Sequence, residues 1–239
     1  MIKAVLFDLD DTLFDHRGCA REALTAVHGC HDRLRSMPFD ALERAHARFL
    51  EELHADVMLG RMPLEKARVE RFRRLLASLE VPSPEGLAAR IATTYRDAYR
   101  TERRAVAGAS PLLGAVKIHA RIAIVSNNLL EEQQDKLRTC GLDEFVDALI
   151  VSEEAGSSKP DPAIFRLALD RLHALPGDAV MIGDSWAADV VGARAAGIRV
   201  VWFNPGRALA PAGETAAPEL RALEPVDAAL RMILDPHRD

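Results

Sequence analysis

The chain reads as an α/β fold in which a parallel sheet is interrupted once by an all-α insertion. Two observations predict the sheet. Short, continuous runs rich in β-branched residues recur along the chain, and helix-like stretches separate the later ones. A third observation predicts the insertion: the long segment between the first and second runs carries helical spacing and no convincing strand. Continuous apolar runs suit strands buried on both faces. Strand alternating with helix implies βαβ crossovers, hence parallel pairing.

The elements follow in order. The first strand is expected over Lys3 to Phe7. From Arg17 to Glu102, apolar residues fall three or four apart: Leu42, Ala45, Phe49 and Leu53; Leu64 and Ala67; Phe72, Leu75, Leu76 and Leu79; Leu87, Ile91, Tyr95 and Tyr99. Such spacing puts them on one helical face. Pro38 and Pro63 punctuate the segment, and Ser83-Pro84 has the form of an N-cap followed by proline at the first helical position. About four antiparallel helices are expected here. Further strands are expected over Arg121 to Val125, Ala148 to Val151, Ala179 to Ile182 and Arg199 to Phe203. Helices are expected over Leu129 to Cys140, Ala163 to Leu172 and Ala187 to Ala196, with Gly141 and Gly197 as C-terminal stops. The Pro-, Gly- and Ala-rich stretch from Asn204 to Pro218 is expected to be a surface loop, and Leu220 to Leu234 a closing helix.

Composition narrows the function classes. With 239 residues, 49% hydrophobic and 28% charged, the chain has the balance of an ordinary globular protein. A net charge of −5 argues against binding a nucleic-acid polymer, though not against a nucleotide as substrate. Cys19, Cys30 and Cys140 have no CxxC spacing and suggest reduced thiols in a cytoplasmic setting. No apolar run approaches the roughly 20 residues that span a bilayer, and the opening strand-like run lacks the pattern of a secretory leader. Nothing in the sequence fixes the oligomeric state, so monomer and homodimer both stand.

Two acidic clusters follow expected strands. Asp8-Leu9-Asp10-Asp11-Thr12 follows the first, and Gly183-Asp184 through Asp189 follows the run from Ala179. Open α/β sheets build their sites at such strand ends. An extended backbone would point Asp8 and Asp10 the same way, which is costly without a cation or shared proton. Hard oxygen donors suit Mg²⁺. Ser126-Asn127 follows another strand, where a hydroxyl and backbone N–H groups could hold phosphate oxygens. Lys159, between Ser158 and Pro160, could present a fixed positive charge. Each element has a plain alternative as a turn, cap or solvated lysine; the four in this order point to phosphoryl chemistry.

Together these residues resemble the four motifs of the haloacid dehalogenase superfamily of phosphohydrolases. Asp8-Leu9-Asp10-Asp11-Thr12 resembles the first motif, Ser126 the second, Lys159-Pro160 the third, and Gly183-Asp184 through Asp189 the fourth. The resemblance implies a Rossmann-like parallel sheet core with helices on both faces, formed by residues 1–16 and 103–239, and an inserted helical-bundle cap over 17–102. It implies Asp8 as nucleophile and Asp10 as general acid/base. Ser126, Asn127 and Lys159 would bind the phosphoryl group. Mg²⁺ would be held by Asp8, the backbone carbonyl of Asp10 and Asp184, with Asp189 supporting it directly or through water. Thr12 would steady the nucleophile loop.

An acid two residues past the nucleophile is usually missing from the family's haloacid-cleaving members, so Asp10 favours a phosphatase over a dehalogenase. A sugar phosphomutase and a non-enzymatic phosphometabolite-binding module are the alternatives. The expected partner is a small phosphorylated metabolite, a sugar phosphate or nucleoside monophosphate. Hinges to the insertion are expected at Asp15 to Arg17 and Glu102 to Gly108, with His16 and Arg17 near the first. Arg68, Arg71, Arg73 and Arg74, with Glu65 and Glu70, read as a solvated helix face. Trp186 could pack under the acidic loop or border an entrance, and Cys19 reads as an inert buried thiol.

Overall fold

The architecture was taken from a computed structural model, which describes residues 1–81 and 86–235. The expected Ser83-Pro84 cap lies outside the described residues. The chain divides into two compact units, Met1–Asp15 with Arg104–Asp239, and His16–Arg103.

The first unit is a six-stranded, wholly parallel sheet in the order β3-β2-β1-β4-β5-β6. Its strands are β1 (Ala4–Phe7), β2 (Arg121–Ser126), β3 (Ala148–Val151), β4 (Ala179–Gly183), β5 (Arg199–Phe203) and β6 (Glu219–Leu220). Side-chain alternation sorts the strand residues onto two faces. Ala4, Leu6, Ala123, Val125, Met181 and Val200 pack in one cluster with Ile164, Phe165, Ala168 and Leu169 of α9 (Pro162–Leu172) and Ala193 of α10 (Val191–Ala195). The opposite face is covered by α6 (Ala109–Lys117) and α11 (Val226–Leu234). The remaining helices of this unit are α7 (Leu130–Thr139) and the short α8 (Ser152–Ala155).

Several expectations are corrected. The stretch from 187 to 196 is not one α-helix: Trp186–Val190 is a π-helical turn, and α10 begins at Val191. The closing helix starts at Val226, because Pro225 and the edge strand β6 occupy the residues before it. An additional helix, α6, stands between the second hinge and β2, and the 109, 112, 113, 116 spacing of its buried residues is itself helical. The two glycine stops hold. Gly141 and Gly197 have φ of 62° and 76°, and the amide after each reaches back to close the helix end, Leu142 N to the Leu137 carbonyl and Ile198 N to that of Ala193.

The segments at either end of the insertion that belong to this unit lie side by side. Phe14 and Ala105 form an antiparallel bridge, Asp15 N donates to the Arg104 carbonyl at 3.1 Å, and Val106 N donates to that of Leu13 at 2.8 Å. The Arg104 guanidinium also pairs with the Asp15 carboxylate at 2.8 Å.

The second unit is helical: α1 (His16–His28), the short α2 (Asp32–Arg35), α3 (Phe39–Met58), α4 (Leu64–Ser78) and α5 (Leu87–Thr101). Pro38 and Pro63 stand at the N-caps of α3 and α4. The buried face of α5 is Leu87, Ala88, Ile91, Ala92, Tyr95 and Tyr99, and α5 packs against α1 and α4. On α3 the buried stripe is Leu42, His46, Phe49 and Leu53, so His46 replaces the expected Ala45. The basic run of α4 is not uniformly solvated, since Arg71 is buried with Ala67, Phe72, Leu75 and Leu76.

Candidate active site

Asp8 directly follows β1, and its N–H donates to the Ile182 carbonyl of β4 at 2.9 Å. Here the strand order reverses between the β2 and β4 sides, the crevice position in which open parallel sheets hold ligands. After Asp8 the chain turns sharply. The N–H groups of Thr12, Leu13 and Phe14 all point to the Leu9 carbonyl, and Asp11 takes a left-handed φ of 63°. Asp10 stays close enough to Asp8 for its charge to add to the rise of the Asp8 carboxyl, and each carboxylate has its own set of donors.

The Asp8 carboxylate accepts from Lys159 Nζ at 2.5 Å, and the same ammonium donates to Asp189 at 2.6 Å. All three side chains are buried. Asp189 uses its other oxygen to accept from Ser185 N at 2.9 Å, so it is fixed at both ends. Its position depends on Gly183, where any Cβ would lie 2.7 Å from the Asp189 Cβ. Asp8, Asp184 and Asp189 each offer a carboxylate oxygen, all within 4.8 Å of one another.

The electrostatics follow from this crowding. Burial pushes the Asp8 carboxyl up from 3.8 to about 8, Lys159 opposes the rise, and Asp189 adds to it. Burial alone would depress the Lys159 ammonium, but the carboxylates of Asp189 and Asp8 outweigh burial and hold it above its ordinary 10.5. One buried ammonium thus serves two carboxylates beside a third. Such an excess of hard oxygen donors fits a divalent cation such as Mg²⁺, toward which Asp8, Asp184 and Asp189 each offer a carboxylate oxygen.

Asp10 sits in a second polar group. Its carboxylate accepts from Lys136 Nζ at 2.6 Å, Gln133 Nε2 at 2.9 Å and Asn128 Nδ2 at 3.3 Å. Gln133 also donates to Ser126 Oγ at 2.6 Å, which links the end of β2 to Asp10. Gln133 and Lys136 lie one turn apart on α7 and are both buried. Sequence reasoning passed over these residues. The available signal was a helix whose inward positions are polar, on a segment (Glu131 to Lys136) that reads as solvated throughout.

Asn127 holds the lysine loop through its side chain. Its side chain donates to the Lys159 carbonyl at 2.8 Å and accepts from the Lys159 N–H at 2.7 Å. The side chain clamps the lysine loop, and the lysine in turn bridges Asp8 and Asp189. Trp186 packs edge-on against Trp202 with ring centroids 4.9 Å apart, while Trp202 Nε1 donates to the Asp184 carbonyl at 2.8 Å. Both indoles therefore brace the acidic loop. The buried hydroxyl of Thr12 has no hydrogen-bond partner among the described residues.

Residues 2–197 match the model of the haloacid dehalogenase-like hydrolases. The chain belongs to that family. Its curated relatives include a ribulose-1,5-bisphosphate 5-phosphatase of Halopiger xanaduensis, 34% identical over 86% of this chain and 86% of that protein. A phosphoserine phosphatase of Thermus thermophilus is 32% identical over 92% and 95% of the two chains. A glyceraldehyde 3-phosphate phosphatase of Pyrococcus furiosus is 30% identical over 86% and 82%. Among solved structures, the HAD-hydrolase YfnB of Bacillus subtilis, bound to magnesium, superposes with a TM-score of 0.73 at 25% identity over 96% and 98% of the two chains. This hydrolase is an enzyme of phosphatase type. Among its described residues no helix is long and apolar enough to cross a membrane.

Proposed function

We propose that this hydrolase is a Mg²⁺-dependent phosphatase of small phosphate monoesters that works through a phospho-Asp8 intermediate. The observation that carries the reading is the division of labour around Asp8 and Asp10. Asp8 is held by a buried lysine with a second carboxylate behind it, and Asp10, two residues on, is oriented by three separate donors. A dehalogenase has no use for that second acid.

In the first step an Asp8 carboxylate oxygen attacks phosphorus, and the bond to the ester oxygen breaks. Asp10 gives its proton to the departing oxygen. In the second step Asp10 takes a proton from water, which attacks the phosphoryl group, releases phosphate and restores Asp8. Lys159 keeps Asp8 in place, and Ser126, whose oxygen accepts from Gln133, has its own O–H proton left to donate to a phosphoryl oxygen. Asp8, Asp184 and the Asp10 carbonyl would hold Mg²⁺, whose charge would offset that of the nucleophile and the phosphoryl group. Asp189 has both oxygens engaged and acts on the metal site by fixing Lys159 and the loop of Asp184.

The substrate class is a small phosphorylated metabolite, a sugar phosphate or nucleoside monophosphate. The relatives named for ribulose-1,5-bisphosphate, glyceraldehyde 3-phosphate and phosphoserine support a compact phosphate ester, and the first and last of these esters carry a further anionic group. A panel of such esters with Mg²⁺ tests the reading. Release of inorganic phosphate is expected, and is expected to stop on chelation. An isomeric sugar phosphate in place of free phosphate would make the enzyme a mutase, and no turnover of any ester would overturn the reading.

A further inference from the structure

The helical unit contains a buried cation that no described residue neutralises. Arg71 lies on the inward stripe of α4 and is 7% exposed. The other arginines of that helix all have acidic partners: Arg68 pairs with Glu65, Arg73 with Glu70, and Arg74 with Glu70 and Glu52. Among the described residues no carboxylate forms an ion pair with Arg71, and its Nε–H has no acceptor. Its guanidinium carbon lies 5.0 Å from the centre of the Tyr95 ring and 5.4 Å from that of Phe72.

A second unmet group stands beside it. His46 of α3 is 3% exposed, its ring centre is 4.7 Å from that of Tyr95, and its Nε2 has no partner. Burial first, then the charge of Arg71, drives His46 toward the neutral form. The cluster therefore carries a permanent positive charge, an unused guanidinium N–H and an unused imidazole nitrogen around one tyrosine ring. The ring faces stabilise the guanidinium in part, but they supply neither an acceptor nor a negative charge. A buried charge without either is unfavourable, and a planar guanidinium matches the oxygens of a phosphate or carboxylate.

We propose that Arg71, His46 and Tyr95 form an oxyanion-binding pocket inside the helical unit, taking a phosphate or carboxylate group. The group has two possible sources: a second anionic group of the substrate, or a free anion such as inorganic phosphate. The pocket stands on the helical unit's own residues, and only the substrate arm of its test rests on the phosphatase reading.

The test is thermal denaturation of the full-length enzyme in chelator, titrated with inorganic phosphate, for wild type, Arg71→Met and Arg71→Lys. Phosphate is expected to raise the wild-type Tm saturably. Arg71→Met is expected to raise Tm in anion-free buffer and to lose most of the phosphate increment. Arg71→Lys keeps the charge but not the fork, and should shift the phosphate midpoint upward roughly tenfold. If Arg71→Met does not fold, the lysine variant decides. A wild-type-like phosphate response in the variants that fold would overturn the proposal. Steady-state kinetics then identify the source. A KM raised about tenfold for phosphoserine, but unchanged for p-nitrophenyl phosphate, assigns the pocket to the substrate's second anion. Unchanged KM for both, with the thermal increment lost, assigns it to a free anion. The thermal readout needs no turnover, so failure of the phosphatase reading would show separately.

Discussion

Lys159 in the sheet unit and Arg71 in the helical unit are both cations withdrawn almost completely from water, 5% and 7% exposed. Lys159 pairs with two carboxylates of its own chain, whereas among the described residues Arg71 pairs with none and lies over two aromatic rings. The contrast separates two ways of holding charge in an interior. A cation neutralised by its own protein is a fixed part of the framework. One left without a counter-charge is a standing requirement that something from outside can meet.

Breaking the first arrangement should have the largest effects. Asp8→Asn is expected to reduce kcat by at least about 10⁴-fold, since no nucleophile replaces it. It should also leave the metal-free protein folded and more heat-stable, because it removes the acid that burial opposes; a destabilised variant would show that Asp8 supports the fold. Lys159→Met comes next. Removing one partner from a buried cluster typically costs about 3–5 kcal/mol, and here it strands Asp8 and Asp189 together. Denaturant midpoints for Lys159→Met and Arg71→Met, side by side in anion-free buffer, should move in opposite directions. Movement in the same direction would dissolve the comparison.

Asp10→Asn should lower turnover about 10²–10⁴-fold for an alkyl phosphate. The loss should be smaller for p-nitrophenyl phosphate, whose leaving group needs no proton; equal losses with both esters would remove Asp10 from the acid role.

The pH dependence of stability sharpens the electrostatic side. In the metal-free protein burial raises the Asp8 carboxyl from 3.8 to about 8. The folded state therefore binds that proton more tightly than the unfolded state. Its contribution to stability is complete below 3.8 and is lost as pH rises through about 8. Denaturation in chelator should show a decline across that window, and both Asp8→Asn and saturating Mg²⁺ should flatten it. The smallest effect is expected from Arg73→Ala. Its pair with Glu70 lies at the surface, where solvent screens it, and the urea midpoint should barely move.

The framework of the site was legible because each part is local in sequence: an apolar run, then Asp8 or Asp184, or a strand ending at Ser126. What escaped depends on contacts distant in the chain. Gln133 and Lys136 gain meaning only when α7 folds back over Asp10, more than 120 positions away in sequence. The hold of the Asn127 side chain on the lysine loop reaches across 32 positions of sequence. Arg71 lay between these cases. Its run of charges looks uniform, yet Ala67, Arg71 and Leu75 follow one another at helical spacing and share the buried face of α4. The edge strand β6 is only two residues long and has no alternation to betray it.

The paired connecting segments bear on how such a chain can change over time. Phe14 bridges Ala105, so the backbone leaves and re-enters the sheet unit through one short clasp. Seen from the sheet, residues 16–103 are a single long excursion whose ends are already tied together. The entropy of closing an excursion grows only slowly with its length. The sheet and its carboxylates can therefore tolerate the lengthening, shortening or wholesale exchange of what lies between the two ends. The insert can then vary while the carboxylates of the sheet unit stay as they were.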